Sequence, residues 1–172
     1  MADARSRTTS WHDPHEVMAG LARADGIEAL RRMVTGDAPY PPIADTIAMR
    51  IVEVEEGRVV WEAEPGEYLY NPIGTVHAGF VTTLLDSAMG TAFVSTAKAG
   101  TRWTTLELKA NFTRAITAET GAVRCTGTIV HRGRKVVTTE ARAEDAEGRL
   151  LAHATSTILV FDEGAAERQA SD

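Results

Sequence analysis

From Ala78 to Ala97 the chain carries a single ionisable side chain, Asp86. Phe80, Val81, Leu84, Leu85, Ala88, Met89, Ala92 and Phe93 recur there at three- and four-residue steps, a spacing that draws a wide apolar stripe down one helix. A helix this apolar predicts burial, with the rest of the chain wrapped around it. A carboxylate taken out of water is costly unless it is paired or hydrogen-bonded, so Asp86 needs a reason to be there. Thr82 and Thr83 stand one turn before it and Gly90 one turn after, all small, which leaves a shallow face with room for a substrate. The plainer alternative is a structural acid satisfied by neighbouring Thr and Ser hydroxyls. Isolated buried ionisable groups cluster at functional sites, which favours the functional reading.

Upstream, Asn71-Pro72-Ile73-Gly74-Thr75 is a breaker-rich loop leading into that helix. His77 falls at the helix entrance, so the backbone N–H groups of Ala78 and Gly79 are expected to point out of the first turn and to favour negative charge. Asp86 lies eight residues beyond Ala78, about 12 Å along one helix axis. Donor and carboxylate are thus too far apart to act on one atom. If they cooperate, they come from two copies of the chain.

The 172 residues suit one domain with a sizeable core. A net charge of −6 without any basic run argues against a nucleic-acid partner. Cys125 is the only cysteine, which precludes an intrachain disulfide and fits a cytoplasmic location. Met1 to Ser10 is polar, with no secretory signal. The polar and small residues within the central helix make it a poor membrane span.

In chain order, residues 1–12 read as a disordered leader. Residues 13–40 read as a helical cover and linker, opened by Asp13-Pro14-His15-Glu16 with Asp as cap and Pro at the first position. Ala38-Pro39-Tyr40-Pro41-Pro42 reads as extended. Ile47–Glu55 and Arg58–Glu64 alternate around Glu56-Gly57 as a hairpin. After the helix, Trp103–Arg114 is a strand with Leu106, Leu108, Ala110 and Phe112 expected on one face and Glu107, Lys109 and Asn111 on the other. Val123, Cys125, Gly127 and Ile129 mark a further strand, and Lys135–Glu144 and Leu150–Phe161 form a last pair. Residues 163–172 read as a disordered tail, leaving 41–162 as the main domain. The expected class is α+β, a long helix wrapped by one curved antiparallel sheet with an N-terminal helical extension. Its open edges and half-covered surface favour a second copy.

This architecture, with the run Asn71-Pro72-x-Gly74-x-x-His77-x-Gly79 and Asp86 nine residues after the histidine, resembles the hotdog-fold acyl-CoA thioesterases, and among them the phenylacetic-acid-pathway (PaaI-like) type. The similarity takes in Thr104-Thr105-Leu106-Glu107-Leu108-Lys109-x-Asn111-Phe112-x-Arg114 and His131-x-Gly133-Arg134. It implies hydrolysis of an acyl-CoA thioester by a homodimer, paired into a homotetramer, without a cofactor or a metal. It further implies that Asp86 is general base or nucleophile, that the N–H of Ala78 is the oxyanion donor with His77 and Gly79 shaping that end, and that Asn71 orients water or carbonyl. Thr105 would hold the water near Asp86, with Asn71, His77 and the oxyanion donor coming from one subunit and Asp86 and Thr105 from the other. The family usually has His-Gly-Gly where this chain has His77-Ala78-Gly79. A backbone donor at a helix start needs only negative φ, so Ala is compatible.

That chemistry is coherent on its own terms, since thioester hydrolysis builds charge on the carbonyl oxygen and a fixed N–H stabilises it. A carboxylate in a dry interface serves as a base near neutral pH. Thr82 and Thr83 are candidate substrate contacts on the shallow face. Arg114 and Arg134, with Arg132 and Lys135, are candidates for coenzyme A phosphates against the plainer reading of solvated basic residues. His12, His15, His131 and His153 have no metal-ligand spacing with one another or with Cys125. No Gly-x-Ser-x-Gly elbow and no phosphate loop occur. Two alternatives stay open: a non-catalytic acyl-CoA binder, and a hotdog enoyl-CoA hydratase, whose Asp and His pair is replaced here by Leu69 and Gly74.

Overall fold

A computed structural model describes residues 3–161. Three short helices come first: α1 (Pro14–Ala22), α2 (Gly26–Thr35) and α3 (Pro42–Ile47). The strands β1 (Met49–Glu55) and β2 (Arg58–Ala63) lead to the long helix α4 (Ala78–Val94), and then follow β3 (Trp103–Phe112), β4 (Val123–Arg132), β5 (Val136–Glu144) and β6 (Leu150–Val160). The six strands form one antiparallel sheet in the order β1-β2-β4-β5-β6-β3. Leu84, Leu85, Met89 and Phe93 of α4 are fully enclosed against Val59, Val123 and Ile158 of the sheet, so the apolar stripe of the sequence is the fold's core.

Local chemistry accounts for the element ends. The Asp13 carboxylate accepts the His15 N–H at 2.8 Å and Pro14 opens α1, the expected start. At the end of α2, Gly36 takes φ 81° and donates its N–H to the Met33 carbonyl at 3.2 Å. The chain expected to run extended into a strand at Ile47 instead forms α3, and β1 begins at Met49. Pro42 is compatible with a first helical turn, and the Thr46 hydroxyl closes that turn on the Pro42 carbonyl at 2.8 Å.

Residues 3–13 have no regular secondary structure, yet Arg7 donates to the Thr46 carbonyl at 2.6 Å and lies 4.2 Å over the Tyr68 ring. The expected tail at 163–172 lies outside the described residues. Among the described residues no helix is long and apolar enough to cross a membrane.

The β5–β6 connection is built on a buried acid. Asp145 accepts backbone N–H groups of Glu147 and Arg149 at 3.1 and 2.9 Å and the Arg149 guanidinium at 2.6 Å. Loss of water around it raises its carboxyl, but the bonds from Arg149 and Glu147 outweigh this and hold it below the ordinary 3.8. Its stabilising contribution is therefore present above about pH 4 and lost as pH falls through the lowered folded value. Asp145→Asn is expected to lower Tm at neutral pH and to flatten its acid dependence; thermal melts from pH 7 down to pH 3 check this.

Candidate active site

One end of α4 opens from the loop at Asn71. The Asn71 side-chain oxygen accepts the N–H groups of Ile73 and Thr75 at 3.0 and 3.2 Å, and its amide nitrogen donates to the Thr75 hydroxyl at 3.0 Å. Gly74 supplies the positive φ of 81° that this turn requires. The amide expected to orient the water or the carbonyl also folds its own loop, and one hydrogen of its nitrogen is left for another acceptor.

At the helix start, His77 is the N-cap, and its Nδ1 accepts the Gly79 N–H at 2.9 Å. This corrects one expectation: the Gly79 N–H, expected to point out of the first turn, is already taken by the His77 ring. In the neutral imidazole an accepting Nδ1 puts the ring proton on Nε2, which is then the ring's one donor. Asn71, His77, Ala78, Phe112 and Arg114 line a cavity of about 320 Å³. Arg114 is held there by a bond to the Leu150 carbonyl at 2.7 Å.

Two turns along, Asp86 is exposed, contrary to the burial expected of it. The core face of α4 is enclosed, but Ala78, Gly79 and Asp86 are open and Thr82, Thr83 and Ser87 are half-buried. The stripe and the open face are two sides of one helix, and apolar composition alone does not distinguish them. The dry surroundings expected for the carboxylate are therefore not supplied by its own chain. The Thr82 and Thr83 hydroxyls bond back to the Ala78 and Gly79 carbonyls, each at 2.9 Å, and so do not serve the carboxylate.

Thr105 lies beside Asp86, its hydroxyl donating to Oδ1 at 3.2 Å. It does so beside a break in the β3–β6 register between Thr105 and Glu107. This bulge puts Leu106 out, 58 % exposed, and leaves Thr105 half-buried with Leu108. The regular alternation read from the sequence fails at that residue.

Asp86 lines a second and larger cavity, about 640 Å³, between α4 and the N-terminal helices, with Trp61 and Trp103 in its wall. Sequence periodicity held no signal for these two tryptophans. Thr82, Thr83, Gly79 and Arg134 line neither of the two cavities, and Arg134 is exposed in the β4–β5 turn. Cys125 is enclosed in β4, and burial pushes its thiol well above the ordinary range, which makes it a poor nucleophile.

The family described as "Domain of unknown function (DUF4442)" matches residues 26–160. The chain belongs to this DUF4442 family. The 1,4-dihydroxy-2-naphthoyl-CoA hydrolase of Listeria monocytogenes serotype 1/2a (strain 10403S) is 27% identical over 118 residues, 69% of this chain and 94% of the relative. A phenylacetic acid degradation-related protein from Ralstonia eutropha JMP134 superposes with a TM-score of 0.69 at 29% identity, over 76% of this chain and 98% of that one. The smu.793 protein of Streptococcus mutans UA159, bound to acetyl CoA, gives 0.61 at 26% identity, over 67% and 90%. These likenesses bear out the resemblance to PaaI-like thioesterases, and with it the hotdog fold and the thioester-hydrolase class of this DUF4442 member.

Proposed function

We propose that this chain hydrolyses acyl-CoA thioesters to coenzyme A and a carboxylic acid, in a site that two copies complete between them. The observation that carries this is the separation of the two half-sites. Ala78, His77 and Asn71 line one cavity, while Asp86, bonded to Thr105, lines another. Both ends sit on one rigid helix, about 12 Å apart. A second α4 laid antiparallel across the open face would bring each acid to the other chain's helix mouth. The exposed strand edge of β3, with Leu106 58 % and Phe112 50 % exposed, favours the same pairing. Two such dimers would make the homotetramer that the resemblance implies, and the lone enclosed cysteine fits a cytoplasmic protein.

In this arrangement the thioester carbonyl oxygen accepts the Ala78 N–H of one chain, which stabilises the charge built there in the tetrahedral state. The Asp86 carboxylate of the other chain takes a proton from water as the water oxygen attacks the carbonyl carbon, or attacks that carbon itself and is then released by water. Thr105 donates to Oδ1 and leaves Oδ2 for the water. The C–S bond breaks, and the sulfur leaves with the electron pair and takes up the proton. Arg114, fixed at the mouth of the Ala78 cavity, suits a coenzyme A phosphate.

Mixing two dead variants tests the sharing of the site. Ala78→Pro deletes the donor but suits a first helical position, and His77 at φ −62° and ψ 136° already has the backbone a residue before proline prefers. Asp86→Asn deletes the acid. Each alone is expected to be inactive, whereas the two unfolded together and refolded in equal amounts recover about one quarter of wild-type activity, since half the dimers carry one intact site. No recovery, in a mixture shown to contain mixed dimers, would overturn the two-chain site.

A further inference from the structure

Arg7 ties together two parts of the chain that lie far apart in sequence. Its guanidinium donates to the Thr46 carbonyl in the last turn of α3, at 2.6 Å, and covers the Tyr68 ring at 4.2 Å. Carbonyls in a helix's last turn lack partners within the helix, and the negative end of its dipole favours a cation. The Ala44 and Asp45 carbonyls accept the Ala48 N–H, and Arg50 also donates to Ala44 at 3.2 Å. Arg7 supplies the partner for Thr46. A planar guanidinium that bonds along its edge still offers its face to an aromatic ring. Gly66 makes room for that ring, since a Cβ there would fall 2.3 Å from the Tyr68 Cε1. Nearby, Arg5 pairs with Glu67, an exposed ion pair of little energetic weight.

Tyr68 belongs to a short 3₁₀ turn, Glu67–Leu69, that leads straight into the site. The Leu69 carbonyl accepts the His77 N–H at 2.8 Å, Tyr70 bridges to Val76, and the Asn71 N–H donates to the Thr75 carbonyl at 2.8 Å. The segment from Tyr68 to His77 is thus closed on itself, and a force on the Tyr68 ring reaches both Asn71 and the N-cap of α4. On its inner side the segment is held by the bond from the Val76 N–H to the Ile116 carbonyl at 2.8 Å. The Ala118 N–H adds a second, to the Tyr70 hydroxyl at 3.0 Å. On its outer side Arg7 holds it, from outside the 26–160 stretch that matches the DUF4442 family.

We infer that Arg7 is a positioning residue: clamped between α3 and Tyr68, it holds the loop that carries Asn71 and His77 in register with the mouth of α4. The inference rests on the hydrolase reading above and adds to it a residue that acts through Tyr68. Thiol-release kinetics and amide hydrogen exchange of the full chain test it together. Arg7→Ala lowers kcat about fivefold, the scale of one exposed cation–π contact, at unchanged KM, because groups at the helix mouth act in the transition state. Tyr68→Ala gives the same loss, and the double variant is no slower than Tyr68→Ala alone. Tyr68→Phe, which keeps the ring, keeps wild-type kcat. In Arg7→Ala the His77 amide exchanges about fivefold faster. The Val160 amide on β6, bonded to the Lys135 carbonyl at 2.9 Å, keeps its rate. Wild-type kcat in Arg7→Ala, a slow Tyr68→Phe, additive losses in the double variant, or His77 exchange that is unchanged or accelerated no more than that of Val160 would overturn the clamp and leave the hydrolase standing. If the wild type cleaves no thioester, the hydrolase reading falls instead, and the two exchange rates alone decide whether Arg7 holds the loop.

Discussion

Asp86→Asn is expected to lower kcat by about 1,000-fold with little change in KM, the signature of an interaction that matters in the transition state alone. The substitution is close to isosteric, and Asp86 is exposed and, among the described residues, its carboxylate is bonded by the Thr105 hydroxyl at 3.2 Å. The Asn side-chain oxygen still accepts the Thr105 hydroxyl, so fold and substrate affinity are retained while the proton acceptor is lost. Thiol-release kinetics with saturating acyl-CoA measure the effect, and a thermal melt confirms the fold. Wild-type turnover in this variant would remove the carboxylate from the mechanism. Unchanged binding together with no turnover in wild type would favour the acyl-CoA binder over the hydrolase.

The second large effect is on stability, at Gly127 in the middle of β4. This residue is paired on both sides, to Val59 of β2 and Ala141 of β5, so its strand cannot bow away. A Cβ built there would fall 2.2 Å from the Ala88 carbonyl oxygen and 2.3 Å from its carbon. Both are backbone atoms of α4, and no rotamer change relieves the clash. Gly127→Val therefore forces the helix off the sheet beneath Leu84, Leu85 and Met89. The expected cost is about 3 kcal/mol, a fall in Tm of roughly 6–12 °C for a chain of this size. Gly20→Ala, where an added Cβ meets nothing within 4 Å, is the control. A Tm for Gly127→Val equal to that of the control would mean that the helix is not held at this distance.

What the sequence reveals, and what it conceals, follows from the range of the forces involved. The α4 stripe, the Asp13 cap and the strand pairs rest on local periodicity and local hydrogen bonds, and they stand where the residues predict them. Thr105 beside Asp86 is a long-range contact, and it came from the family resemblance and not from spacing. The exposure of Asp86 escaped the sequence because a helix flanked by a sheet on one side and open on the other has the composition of one enclosed all round. Leu106 was misplaced because a bulge inserts one residue without any compositional mark. α3 was missed because the prolines around residue 42 suit an extended chain as well as a first helical turn. The wall formed by Trp61, Trp103 and the N-terminal helices depends on how distant segments stack, which no local pattern encodes.

Donor and acid travel on a single stiff rod, and this has a consequence for the assembly. In the two-chain site proposed above, two antiparallel rods would generate reaction centres in pairs, with a spacing dictated by helical rise and not by any loop. In such a pair, whatever slides one rod along the other would detune both centres at once.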